Sequence, residues 1–131
     1  TNGGASWSTP VKVLAGVKAY SPWVDAREPG RAAILWYGSP NATATLGTTQ
    51  DWFHYWAVAE GADAGSVQFA TGTTTATPIF TGRQGSTAEF NQVRVDADGL
   101  IHVGTNAMWT NTTRSTPANQ WILQYQRQAV G

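Results

Sequence analysis

Phe90-Asn91-Gln92-Val93-Arg94-Val95-Asp96-Ala97-Asp98-Gly99-Leu100-Ile101-His102-Val103 is the stretch on which the fold turns. Val93 and Val95 alternate with Gln92 and Arg94, which puts the two valines on one side of a pleated strand and the polar pair on the other. Asp96 and Asp98 are residues whose short side chains bond to backbone N–H groups in a turn, and Gly99 accepts positive φ without steric cost. Leu100-Ile101-His102-Val103 then supplies a returning strand. The segment reads as a β-hairpin.

The same design occurs earlier. Trp23-Val24-Asp25-Ala26 runs into Arg27-Glu28-Pro29-Gly30, where Pro fixes φ and Gly follows it, and Ala32 to Tyr37 returns. Each hairpin is followed by a long polar connection, Gly38 to Gln50 and Thr105 to Asn119, and then by a Trp-led strand, Asp51 to Val58 and Gln120 to Tyr125. The repeat is roughly 65 residues, somewhat longer than the 40–50 of a minimal propeller blade, and inserted loops account for the excess. Ser66-Val67-Gln68-Phe69 is expected as a fourth strand of the first copy, entered through Gly61 to Gly65. Trp7 to Leu14 is expected as a lone strand that completes the second copy, so that strand four precedes one whole blade and strands one to three follow it.

Composition agrees with an all-β class. The 131 residues include seven Trp, four Tyr and four Phe, only 12% are charged, and eight basic residues balance eight acidic ones. Aromatic and β-branched residues favour strands, and the low charge gives no field to gather nucleic acid or anionic lipid. Neither partner is expected. Cys is absent, which excludes disulfides, thiol nucleophiles and Cys-ligated zinc. No apolar run approaches the roughly 18 residues that span a bilayer, and Thr1 starts no charged-then-apolar leader.

Thr1-Asn2-Gly3-Gly4-Ala5-Ser6-Trp7 resembles an Asp box, the turn between strands three and four of sialidase-like propeller blades. Asn2 stands at the Asp position and Ser6 at the Thr position, with Gly4 and Trp7 matching; Asp63-Ala64-Gly65 with Phe69 is similar to a decayed second copy. Tyr20-Ser21-Pro22-Trp23-Val24, Asp25 to Arg31 and Ile34-Leu35-Trp36-Tyr37-Gly38 resemble a Pro-Trp-Val, Asp-Pro-Gly-Arg, Trp-Tyr-Gly series of bacterial exo-sialidase-like proteins. Asn91 to Gly99 is similar to their last inner strand, and Gln124-Tyr125-Gln126-Arg127-Gln128 to their C-terminal ending.

The resemblance implies an all-β fold of β-propeller blades, about two four-stranded antiparallel blades of a six-bladed sialidase-like ring. Residues 1–14 would be the outer strand of a blade, 15–75 one complete blade, and 76–131 three strands of the next. In that family the Asp box is architectural, so Asn2, Gly4, Ser6, Trp7, Asp63 and Gly65 are expected to build turns, with Trp7 packed between sheets. A third of a ring exposes two apolar sheet faces, so the expected partners are the remaining blades of a parent propeller or copies of the chain, a homotrimer among them. A secreted, extracellular location goes with this family.

The short turns at Arg27 to Gly30 and Asp96 to Gly99 are expected on one face, together with the Asp-box turns. The long connections gather on the other, where binding residues concentrate. Tyr20, Asp51, Trp52, Arg83, Gln84, Trp109 and Arg114 are the candidates for a carbohydrate ligand. An aromatic plate stacks on the C–H face of a sugar while Arg and carboxylate groups take its polar substituents. Against this, Tyr20 and Trp52 suit a core equally well, and Arg83 and Arg114 suit solvated loop charges. Glu89, at the head of an inner strand, is the candidate catalytic carboxylate. Where sialidases of this fold carry a Tyr nucleophile the sequence has Ala88-Glu89-Phe90, and the Tyr20-Ser21 pair stands one blade too early.

The expected function is therefore a carbohydrate-binding or structural segment of an extracellular sialidase-like propeller, not an enzyme by itself. The alternatives are part of a glycoside hydrolase completed by other blades, or a self-assembling two-blade lectin. No cofactor and no metal are expected: Asp96-x-Asp98-Gly99 lacks the distal ligands of a calcium loop, and His54 and His102 stand far apart in strands. Asn41-Ala42-Thr43 and Asn111-Thr112-Thr113 are glycosylation sequons in loops.

Overall fold

A computed structural model describes residues 4–83, 91–109 and 120–129, with the side chains of 106–109 and 120–122 left aside. Among the described residues there are eight strands and no helix: β1 (Lys18–Asp25), β2 (Ala32–Ser39), β3 (Gln50–Glu60), β4 (Gln68–Thr73), β5 (Phe80–Gly82), β6 (Gln92–Val95), β7 (Ile101–Trp109) and β8 (Gln120–Arg127). The all-β class expected from composition and alternation is what is found. The strands make two antiparallel sheets, one ordered β1-β2-β3-β4 with β5 also paired to β3, the other β6-β7-β8.

Both hairpins form on the turn residues that specify them. Arg31 N–H donates to Glu28 C=O at 3.2 Å, and Gly30 has φ +77°, so Pro29-Gly30 occupies the centre of a type II turn. In the second hairpin Gly99 N–H donates to Asp96 C=O at 3.1 Å, Asp96 N–H to Leu100 C=O at 3.0 Å, and Gly99 has φ +76°. Asp96 Oδ1 also accepts the N–H groups of Asp98 and Leu100, each at 2.9 Å. This is a type I turn closed by a left-handed glycine.

The sheets pack through the faces that alternation predicts. Ala33, Leu35 and Val58 of the first meet Val93, Val95, Ile101 and Val103 of the second, with Trp56 at their margin. Backbone proximity between the sheets is concentrated where β6 passes β1 and β2. Asp25 ties this region, its Oδ2 accepting Val95 N–H at 2.8 Å, with Arg94 Nη1 at 3.7 Å from Oδ1. One rung further along, the apolar core gives way to buried Ser39, His54, Asn91 and Thr105.

β1 carries a bulge. Tyr20 pairs with Tyr37 and Trp23 with Leu35, so one extra residue is taken up between them, and Ser21 there has φ +48°. Because Tyr37 and Leu35 share a face, the bulge puts Tyr20 and Trp23 on that same face although they are three residues apart.

Three expectations are corrected. Residues 4–17 form no strand, and Trp7 is 89% exposed, so it does not pack between sheets. Pro10 lacks an N–H for a ladder, and Val13, Leu14 and Val17 instead lay side chains against Trp36, Tyr55 and Ala57 on the outer face of the first sheet. The fourth strand begins later than Ser66 and runs Gln68–Thr73, paired to β3 from Glu60↔Gln68 to Tyr55↔Thr73. Phe80–Gly82, assigned from sequence to the second copy, pairs with Gln50–Trp52 of β3 and so belongs to the first sheet.

Candidate functional site at the long-loop end

The two ends of the molecule differ. At one end Arg31 Nη1 donates to Gly99 C=O at 2.8 Å, Arg31 Nε lies 2.9 Å from Glu60, and Ala62 N–H donates to Gly30 C=O at 3.0 Å. A Cβ on Gly30 would overlap the Asp63 carboxylate, so the 61–65 turn rests against the β1–β2 turn. Short turns of both sheets are thus fastened together there. Gly65, with φ +79°, and Asp63 belong to this cluster; Gly4 and Ser6 lie on the exposed leading segment, and Asn2 lies outside the described residues.

The opposite end carries the long connections, organised around Trp52. Trp52 is fully buried and stacks on Tyr37, with ring centroids 5.0 Å apart and planes at 9°. Its Nε1–H donates to Gly82 C=O at 2.9 Å, which ties β3 to β5. Tyr20 tilts against it at 6.1 Å and donates its hydroxyl to Ala44 C=O at 3.3 Å, while the Lys18 ammonium lies 5.8 Å from the Tyr20 ring. Ala44 and Ile79 close the cluster.

This arrangement sorts the residues expected from sequence. Trp52 is a core side chain, and its burial removes it as a stacking plate for a ligand. Tyr20 is half-buried, with its hydroxyl committed to the 40–49 loop. Asp51 and Arg83 are exposed, and Asp51 Oδ1 accepts the Thr81 hydroxyl at 2.6 Å. Trp109 ends β7, but its side chain, together with Glu89, Gln84 and Arg114, lies outside what is described. The surface that remains at this end is polar: Asp51, Arg83, Lys18 and the Tyr20 edge. Asn41 of the first sequon folds back, its Oδ1 accepting Thr43 N–H at 3.0 Å and the Thr43 hydroxyl at 2.8 Å.

Beneath this surface His54 is buried edge-on to Tyr37, with centroids 5.6 Å apart. Loss of hydration lowers its pKa from 6.5 to about 4, and a hydrogen bond with the Asn91 side chain opposes the shift. It is a neutral imidazole packed in the core beside Tyr37, a placement its mid-strand position in the sequence made natural.

Two features have no counterpart in the sequence reading. A cleft of about 240 Å³ opens between the sheets on the β4–β8 side, lined by Trp56, Val58, Thr73, Ile101, Val103 and Gln126 among others; none of the described candidates, Tyr20, Asp51, Trp52 and Arg83, lines it. On the outer face of the second sheet, His102 lies between Tyr125 and Asp96. Its Nδ1 is 2.6 Å from the Tyr125 hydroxyl and its Nε2 is 2.7 Å from Asp96 Oδ2. The hydrogen bond from His102 is the largest of the influences that hold the Asp96 carboxyl below its ordinary pKa. The signal was present in part, since Asp96 and His102 flank one turn, but Tyr125 joins them only through the β7–β8 register. Among the described residues no group of His, Asp and Glu could hold a metal ion.

No family model matches the chain, and no curated protein or solved structure matches it either.

Proposed function

We propose that the chain is a two-blade length of a sialidase-like β-propeller and that its long-loop end binds carbohydrate. The observation that carries this reading is the placement of the two leading strands. Apart from β5, which pairs with β3, each sheet is an antiparallel meander in sequence order, and β1 and β6, the first strand of each, face one another where the sheets come closest. Successive blades around an axis have that relation, with first strands innermost and later strands fanning outward. Fastened short turns at one end and longer polar loops at the other suit a ring with one binding face.

The partners in this reading are further blades, from a parent chain or from copies of this one. The second sheet has three described strands against the four sequential strands of the first, and among the described residues none pairs with the outer edge of β8. A strand from a neighbouring blade or copy would fill that position. Asp51 and Arg83 are the groups for ligand hydroxyls or carboxylate, and an extracellular setting follows from such a role.

Native mass measurement joined to a glycan array tests the proposal. An assembly near three times 14.0 kDa that retains glycans, and loses them in Asp51→Ala and Arg83→Ala, is expected. A monomer that binds no glycan would end it. Turnover of fluorogenic glycosides would replace binding by hydrolysis as the function.

A further inference from the structure

The Asp96, His102 and Tyr125 side chains form one continuous hydrogen-bonded line. Asp96 is fixed at its far end, where Oδ1 accepts the backbone N–H groups of Asp98 and Leu100 at 2.9 Å each. Its remaining oxygen faces His102 Nε2 at 2.7 Å. A carboxylate can only accept, so in the neutral imidazole Nε2 carries the hydrogen and Nδ1 is left with its lone pair. That lone pair is 2.6 Å from the Tyr125 oxygen, which therefore donates its phenolic hydrogen to it. A nucleophile in hydrogen-bond reach of a base, with the base oriented by a third group, is the arrangement that activates hydroxyl nucleophiles.

The surroundings favour use over mere packing. Tyr125 is 67% exposed, so its oxygen is open to a reactant. Leu123, two residues earlier on the same side of β8 and 81% exposed, offers an apolar rest for a ring. Arg94 on β6 and Arg127 on β8 pair in register with His102 from either side, so the same face of the sheet carries two cationic residues beside it. Arg94 is partly engaged by Asp25 across 3.7 Å, and Asp98 shares the turn with Asp96.

We propose that Tyr125 is a nucleophile activated by His102, with Asp96 as the positioning residue, and that it accepts acyl groups from aryl esters. In the step, the Tyr125 oxygen bonds to the acyl carbon and its proton passes to His102 Nδ1. The ester C–O bond breaks, and the aryloxide leaves with the bonding pair and takes a proton from His102 or from water. Asp96 keeps its charge throughout and steadies the imidazolium. The site lies on the second sheet alone, independent of the long-loop end and of any ring.

The whole chain treated with 4-nitrophenyl acetate near neutral pH tests this, with the rate of acetylation of each tyrosine and amine read by peptide mass mapping. Tyr125 is expected to acetylate ahead of Tyr20, Tyr37 and Tyr55. Substitution His102→Gln, which preserves bulk and hydrogen bonding but not basicity, should slow it by roughly 100-fold, the low end of what a positioned base contributes. In Tyr125→Phe that peptide should remain unmodified. Nitrogen NMR of the wild type should show hydrogen on Nε2 of neutral His102, and Asp96→Asn should mix the tautomers. A Tyr125 rate in His102→Gln within about two-fold of wild type would overturn the proposal, because the base contributes far more than that when it acts. So would hydrogen found on Nδ1 of the neutral wild-type ring.

Discussion

The carboxylate of Asp25, on the leading strand of the first sheet, accepts the backbone N–H of Val95 on the leading strand of the second at 2.8 Å. It is a side chain standing in for a missing ladder bond between two sheets whose inner contact beside it is apolar. Removing the acceptor leaves the Val95 N–H in a partly buried place without a partner. Asp25→Ala should therefore cost about 1–3 kcal/mol, and Asp25→Asn, which keeps an acceptor oxygen, distinctly less. Urea unfolding of the two variants measures the difference.

His54 makes stability depend on pH. Its pKa is about 4 in the folded chain against 6.5 for an unperturbed imidazole. Above 6.5 neither state binds the proton and the full stability is present. Below it the unfolded chain takes up a proton that the folded one refuses, so stability falls as pH falls, until the folded imidazole titrates near 4. The loss across that window is on the order of 3 kcal/mol, each pKa unit being worth about 1.4 kcal/mol. Thermal melts of wild type and His54→Gln between those limits should show a slope in the first that the second lacks.

Gly38 lies in β2 where a Cβ would collide with the Lys18 backbone carbonyl of β1. A backbone carbonyl held in a ladder cannot turn aside as a flexible side chain does. Gly38→Ala should force β1 and β2 apart at a cost of about 1–3 kcal/mol, read as a lower urea midpoint.

Trp52 combines a ring stack on Tyr37 with a hydrogen bond to Gly82. Trp52→Phe keeps most of the stack and strips the Gly82 carbonyl of its donor, for about 1–2 kcal/mol. Trp52→Ala empties the site and should cost about 3–5 kcal/mol. If Trp52 were instead a ligand plate, the alanine variant would lose binding with little change in its melting temperature.

Much of the fold could be read from the chain because its turns announce themselves. Pro29-Gly30 and Asp96 to Gly99 carry the residues their backbone angles demand, and Val93, Val95, Ile101 and Val103 alternate as a half-buried strand pair must. The leading segment misled because alternation near Val11 and Val13 describes a capacity to pair, whereas pairing needs a neighbour with free N–H and C=O groups. Trp52 showed a different limit. An aromatic at the end of a strand looks the same in sequence whether it faces a ligand or a tyrosine, and its stack on Tyr37 across β2 and β3 decided the matter. Bringing Tyr125 to His102 required the register of β8, which nothing local in residues 120–127 fixes.

That strand has its sidedness reversed with respect to the rest. Gln126 faces inward, donating to Thr74 C=O at 3.0 Å, while Leu123 and Tyr125 stand in solvent. Over Leu123 to Gln126 oil and water have changed places, so this length of β8 has little hydrophobic driving force pressing it home and is retained by the ladder to β7 and by the Gln126 clasp. It should be the first part of the sheet to peel, its amides exchanging with deuterium well before those of β2 and β3. Whatever docks on its outer rim would then act as a latch, and slower exchange there on assembly would report that the latch has closed.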